Sequence, residues 1–418
     1  MLTRLRRFAA AKSVRAAVGF GAGGIAFSLA NLFLARYLTP LDYAVLVLLL
    51  ALKELGLAFG PVGTQLVINR HRLAPTRRLA TRIFCTSAVM AVVLAAVALS
   101  VYEVDPLLAA LLIIIVVGAC MTITASALFQ SAEHFFTSLS LVQVNNLLLL
   151  LTIPLGLAFN VLTLEFVVVL VAAGYVVFGA VGWVSARSSL TRNTAVKPES
   201  LLIQEGLGGL GIGAVALIMW QSERLIIPLV LSTEALATFG VLAAVVSAPF
   251  RMMQMGMGFT LLPRLQAVSN PSSVRRLIIS ELRIGGVICV IGTIGVMTLG
   301  PWLIRVLVGD KYHVGMELFV AAVIVGYVRI WESLAMSTVS ALGNVRALAL
   351  MNVFGWSALG VALLGAWLLR GFGIQGIIYG VGLGWLMQAV AATWLARIAM
   401  RQRWRMAPEA GRYSSTVD

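Results

Sequence analysis

The chain has 418 residues, of which 60% are hydrophobic and only 11% charged, with a mean hydropathy of +0.99. Soluble domains carry about 25% charged residues, so a soluble globular protein is excluded and an integral membrane protein is indicated. The net charge of +15 sits mostly in short connections between apolar runs, where membrane topology accounts for it without nucleic acid.

In chain order, segments of spanning length lie at 15–38, 43–63, 83–102, 107–129, 137–159, 165–186, 207–231, 236–262, 277–300, 316–339, 348–369 and 376–397. Each reaches the roughly 20 residues that cross a ~30 Å hydrocarbon core. The basic start runs into the first segment without a small-residue cleavage pattern, so it reads as a retained helix. Cys85, Cys120 and Cys289 lie in apolar runs and read as small buried apolar residues rather than a disulfide framework.

Cations orient the segments. The N-terminal tail carries Arg4, Arg6, Arg7, Lys12 and Arg15, the second loop Arg70, Arg72, Arg77, Arg78 and Arg82, and the C-terminal tail Arg397, Arg401, Arg403, Arg405 and Arg412. The opposite side holds only Arg36, Arg305, Lys311 and Arg370, so both termini are expected in the cytoplasm. The longest connection, 187–206, has linker composition and divides the segments six and six. The expected organisation is a basic tail (1–14), a first six-helix bundle (15–186), the linker, a second bundle (207–397) and a basic tail (398–418). Leu38-Thr39-Pro40-Leu41-Asp42-Tyr43 and Leu231-Ser232-Thr233-Glu234 with Thr238-Phe239-Gly240 open the second helix of each half alike. The fold expectation is therefore all-α, about twelve transmembrane helices in two six-helix bundles related by a parallel pseudo-twofold repeat around a central cavity.

Charges inside the spans carry the functional reading, because an intramembrane charge is costly and faces a partner or a wet cavity. Lys53 lies about 15 Å beyond Tyr43, and Arg251 about 18 Å beyond Phe239, by helical rise. Arg224 closes the polar run Trp220-Gln221-Ser222-Glu223-Arg224 in an otherwise apolar segment, and Arg329 lies mid-helix with Glu332 three residues on. Lys53, Arg224, Arg251 and Arg329 are the candidate sites for anionic cargo, since ammonium and guanidinium groups suit phosphate oxygens. Glu54, Glu223 and Glu332 are the candidate proton carriers.

Each has a structural alternative. Arg224 can snorkel to the interface. Lys53 and Glu54, about 100° apart on a helix, are expected not to pair face to face, one of them meeting a neighbouring helix. Arg329 and Glu332 can form a closed ion pair. Arg283 is expected at an interface, Glu133 and His134 in a solvated loop, and the Met252-Met253-Met255-Met257 cluster in packing. Gln143, Asn145 and Asn146 read as interhelical hydrogen-bonding groups ahead of sugar contacts. Gly-rich runs at Gly19 to Gly24 and Gly206 to Gly213 permit close helix approach, and without a preceding strand they are not phosphate loops. No catalytic motif, metal-ligand spacing or cofactor motif is present, so no enzyme, no metal and no cofactor is expected.

Several patches resemble the polysaccharide flippases of the multidrug/oligosaccharidyl-lipid/polysaccharide exporter superfamily, the O-antigen and exopolysaccharide branch. They are Asn31 to Tyr43 with the Gly-rich end Gly56 to Gly63, Glu223-Arg224-Leu225-Ile226-Ile227, Leu262-Pro263, Pro301 to Tyr312, Ala341-Leu342-Gly343-Asn344 and Gly371 to Gly376. Ala44 stands where many members have glycine. The resemblance implies an alternating-access carrier in the bacterial inner membrane. It implies an undecaprenyl-pyrophosphate-linked oligosaccharide as cargo for lipopolysaccharide or exopolysaccharide assembly. The bilayer, a polysaccharide polymerase and chain-length proteins are the implied partners. The alternatives are a multidrug exporter of the same superfamily, disfavoured by the cation excess in the spans, and a polytopic polymerase or ligase, disfavoured by the short outer loops.

Overall fold

The structure, a computed structural model, describes residues 12–190, 199–268 and 270–413. Most of the N-terminal tail, linker residues 191–198 and the last five residues of the C-terminal tail lie outside the described residues. In chain order the helices are α1 (Lys12–Tyr37), α2 (Pro40–Phe59), α3 (Thr64–His71), α4 (Arg77–Ser100), α5 (Pro106–Ser131), α6 (Phe135–Val142) and α7 (Val144–Ala158). They continue with α8 (Leu164–Ser189), α9 (Glu199–Val230), α10 (Thr233–Ala267), α11 (Pro271–Leu307), α12 (Met316–Leu342), α13 (Val345–Leu369) and α14 (Gly373–Tyr413). A single 3-10 turn, Arg370–Phe372, separates the last two, and no strand occurs among the described residues.

The protein is thus an all-α, multi-pass membrane protein. Among the described residues, six helical stretches are long and apolar enough to cross a bilayer, and the bent pair α6–α7 makes a seventh. A helix or that bent pair lies over each of the twelve expected segments. Side chains such as Val287, Val290, Ile291 and Ile294 on α11 are exposed, as lipid-facing residues must be when every backbone group is satisfied within its own helix.

Helix starts follow local chemistry. Thr39 accepts from the Asp42 N–H at 3.1 Å ahead of Pro40, and Asp105 accepts from the Leu107 N–H at 2.8 Å ahead of Pro106. Thr76, Thr163 and Asn344 cap α4, α8 and α13 in the same way.

Two details differ from expectation. The segment 137–159 is not one helix: α6 and α7 meet at Gln143 with a 52° bend. Gln143 has ψ near −1°, which turns the next peptide off the helical path. Its side-chain oxygen accepts from Asn146 Nδ2 at 2.6 Å, a local bond of the kind that competes with helix. The basic stretch after α2 is not all loop either, since Thr64–His71 folds as the short helix α3.

The chain divides into two compact units, one of Met1–Ala244 with Leu303–His313 and the other of Val245–Trp302 with Val314–Asp418. In the first, Ile68, Ile83, Leu128, Phe129, Leu141 and Trp183 form a buried cluster joining α3, α4, α5, α6 and α8. At the α2–α3 corner, Gly63 has φ +67°, and a Cβ there would lie 2.0 Å from the Gly206 carbonyl oxygen of α9. Only glycine allows that approach. In the second unit, Ala335, Val339, Met351, Ala392 and Leu395 join α12, α13 and α14. The α13 and α14 backbones draw together at Gly365 and Gly380, where a Cβ on Gly365 would stand 2.8 Å from the Gly380 carbonyl oxygen.

Candidate functional site

Lys53 is buried deep in the first unit, 1% exposed. Its ammonium lies 2.8 Å from a Glu54 carboxylate oxygen. It also donates to Asn145 Oδ1 at 3.1 Å and to the Tyr175 hydroxyl at 3.5 Å. The expectation that Lys53 and Glu54 do not pair is therefore corrected: the flexible lysine stem lets the ammonium reach its neighbour's carboxylate. The polar groups continue from Asn145 Nδ2 to Asn146 Oδ1 at 3.3 Å and on to Gln143. The amides of the bent helix thus form a short ladder ending on the lysine, in which the Asn145 bond to Lys53 joins two helices and those among Gln143, Asn145 and Asn146 are local. Because an ammonium has three donors, Glu54, Asn145 and Tyr175 together occupy it.

A second polar feature of the first unit is a cleft lined by Phe27 and Asn31 of α1, Val47 and Leu50 of α2, Arg224 of α9, and Gly240 and Ala244 of α10. Arg224 is half-buried and donates to Gln221 Oε1 at 3.1 Å, one turn back on α9. Glu223 and Gln221 are buried. Deeper against α1, the buried Tyr43 hydroxyl meets Asn31 Oδ1 at 3.5 Å.

The second unit holds Arg329 and Glu332, both buried on α12. Among the described residues no ion pair joins them. Instead the Arg329 guanidinium stands 5.3 Å from the centre of the Trp385 ring of α14, and the Arg329 carbonyl accepts from Gln254 of α10 at 3.3 Å. Arg251 is on α10, and its side chain, like those of Met252, Met253, Met255 and Met257, lies outside the described residues. Arg283 is exposed, while Glu281 is buried and paired with Arg264. Glu133 pairs with Arg72 at 3.4 Å. Cys85 is exposed rather than buried, because its face of α4 points away from the unit's core.

The structure thus brings Lys53 together with Glu54, Asn145 and Tyr175, and Arg224 together with Asn31. Sequence reasoning missed Asn31, Tyr175 and Trp385. Tyr175 and Trp385 sit in apolar runs where an aromatic reads as packing. Asn31 could have been found, since an amide in the middle of an apolar segment is costly unless partnered. A further polar contact, the His71 ring with the Glu205 carboxylate, ties α3 to α9, with Arg70 at 4.0 Å from the same carboxylate.

The model of the polysaccharide biosynthesis protein family matches residues 33–317, more than half of the chain. No curated protein matches it. Among solved structures, the chain is similar to lipid II flippase MurJ in an inward closed conformation, with a TM-score of 0.65 at 8% identity, covering 95% of this chain and 93% of that one. It is also similar to an outward-facing multidrug resistance MATE family transporter of the MOP superfamily, with a TM-score of 0.61 at 12% identity over 94% of this chain and 97% of that one. An inward-facing MATE family transporter gives 0.57 at 14% identity, over 92% and 96%. At these identities the similarities show the fold. The chain belongs to the polysaccharide biosynthesis protein family, and it carries the membrane-transporter fold of the multidrug/oligosaccharidyl-lipid/polysaccharide exporter superfamily.

Proposed function

We propose that this protein is a flippase that moves an undecaprenyl-pyrophosphate-linked oligosaccharide across the bacterial inner membrane by alternating access, for O-antigen or exopolysaccharide assembly. The single observation that carries the reading is Arg224 bordering the cleft between α1, α2, α9 and α10 beside the amide of Asn31. A guanidinium held in a largely apolar cleft is suited to phosphate oxygens, and the amide to sugar hydroxyls or a second oxygen. Lys53, Arg251 and Arg329 are the further cations for the anionic cargo, and Glu54, Glu223 and Glu332 the candidate proton carriers. The two six-helix bundles (15–186 and 207–397) move as the carrier's halves, with both termini cytoplasmic. Polysaccharide polymerase and chain-length proteins receive the exported unit.

The test uses the gene's own host. Deleting the gene is expected to abolish surface polysaccharide and to accumulate its lipid-linked precursor. Complementation with Arg224→Met is expected to leave the protein in the membrane but export strongly reduced, with Arg224→Lys in between. Wild-type export from Arg224→Met at normal abundance rejects the cationic cleft. Unchanged surface polysaccharide with new sensitivity to cationic drugs identifies a multidrug exporter instead.

A further inference from the structure

The end of α11 and the connection that follows it belong to the first unit, as the strap Leu303–His313. What holds this strap is a reciprocal exchange of helix caps. α1 ends at Tyr37, and its last carbonyls have no partner within the helix. The Lys311 ammonium donates to the carbonyls of Leu38, of Arg36 at 3.3 Å and of Ala35 at 3.5 Å. The Tyr312 hydroxyl donates to the Ala35 carbonyl as well, at 3.4 Å. In return Arg36, in the last turn of α1, donates to the Val306 carbonyl in the last turn of α11, at 3.4 Å. The neighbouring α11 carbonyls of Ile304 and Arg305 are met by the backbone N–H groups of Val308 and Gly309. Gly309 has φ +82°, which lets the strap turn back toward α1.

The electrostatics give this arrangement a direction. A helix C-terminus carries about half a negative charge, and here two of them are brought to one corner. Without cations the two ends repel. Each end has an arginine in its own last turn, Arg36 on α1 and Arg305 on α11, and each gains a further cationic donor from the opposite element, a gain present only while the two are in contact. Burial pulls the Lys311 pKa below the ordinary lysine value, and the Asp42 carboxylate in the first turn of α2 opposes that shift. Tyr312 fixes the register: it is buried, and its ring meets that of Tyr43 edge-on at 6.3 Å.

We infer that the strap 303–313 is an electrostatic latch, in which Lys311 and Arg36 exchange helix C-caps and must let go before the α1–α2 corner can separate from the α11–α12 connection. The inference rests on the alternating-access reading above. The latch closes one side of the carrier, and its release is the step that opens that side. Nothing in the transport reading assigns a role to either residue: Arg36 lies at the end of α1 and Lys311 in the connection after α11, and neither lines the Arg224 cleft.

Two measurements on the full chain in lipid nanodiscs, with Cys85, Cys120 and Cys289 replaced by serine, test it. The first is the rate at which a maleimide labels Val308→Cys, a buried strap position. Adding Lys311→Met with Arg36→Met is expected to raise that rate about tenfold, since both exchanged caps are lost while Arg305 stays on its own helix end, and Lys311→Arg is expected to stay near the parent. An unchanged rate in the double variant overturns the latch. The second measurement joins Leu38→Cys to Lys311→Cys with a short reducible bis-thiosulfonate and follows movement of an undecaprenyl-pyrophosphate oligosaccharide in vesicles. Cross-linking is expected to stop transport, and reduction to restore it. Full transport by cross-linked protein overturns the gating role while leaving the flippase reading intact. Absence of transport in the parent protein defeats the flippase reading, and the labelling rates still decide the latch.

Discussion

Lys53 and Glu54 are chain neighbours on α2, and their charged groups meet at 2.8 Å inside the first unit. Adjacent helical residues point about 100° apart, yet the same ammonium meets Glu54, Asn145 and the Tyr175 hydroxyl. The Glu54 side chain is 21% exposed, so removing the lysine takes away the ammonium of a part-buried pair and destabilises the unit. Lys53→Met is therefore expected to lower membrane abundance, because Glu54 is left without its ammonium. Lys53→Met with Glu54→Gln removes both charges and is expected to restore abundance. Equal abundance of single and double variants on quantitative immunoblots argues against the pair as a structural unit. Export by the abundant double variant then reports the transport role separately.

Arg329 lies over Trp385 and forms no ion pair with Glu332 among the described residues. A desolvated cation–π contact is worth about 2 kcal/mol. The expected coupling is thus between Arg329→Met and Trp385→Leu, with thermal stability in detergent less affected by the pair than by the sum of the singles. The double change Arg329→Ala with Glu332→Ala is not expected to rescue Arg329→Ala. Rescue by that double change indicates an ion pair instead.

Gly63 and Gly206 bring the α2–α3 corner against α9. Gly63→Ala adds a Cβ in a left-handed conformation and 2.0 Å from a carbonyl oxygen, so the backbones must separate, at an expected cost of about 2 kcal/mol or more. Gly286→Ala is the control, because nothing lies within 4 Å of the added carbon, and a change within about 1 kcal/mol is expected there. Equal melting temperatures for the two variants contradict the close approach.

Topology has its own test. Single cysteines at Glu103 and Gly373 are expected to react with an impermeant thiol reagent in intact cells, and cysteines at Thr76 and Thr194 only after the membrane is opened. Labelling of Thr76→Cys in intact cells reverses the proposed orientation.

Much of this protein is determined by local sequence. Apolar length yields the helices, since a segment with no water around it must satisfy its own backbone. Thr39-Pro40, Asp105-Pro106, Thr163 and Asn344 start helices where the sequence puts them, because a cap uses only neighbouring atoms. Tertiary structure decided what the intramembrane charges do. Spacing along one helix says which face a residue shares, but not which side chain arrives from another helix. It could not show that Asn145 and Tyr175 join Glu54 around the Lys53 ammonium, or that Trp385 rather than Glu332 receives Arg329. The bend at Gln143 depends on side-chain amides closing a local ring, and hydropathy does not see that. Lys311 is the sharpest case. In the sequence it is one loop cation, and in the fold it caps a helix that ended some 270 residues earlier, because a C-terminal dipole takes its counter-charge from whichever element packs beside it.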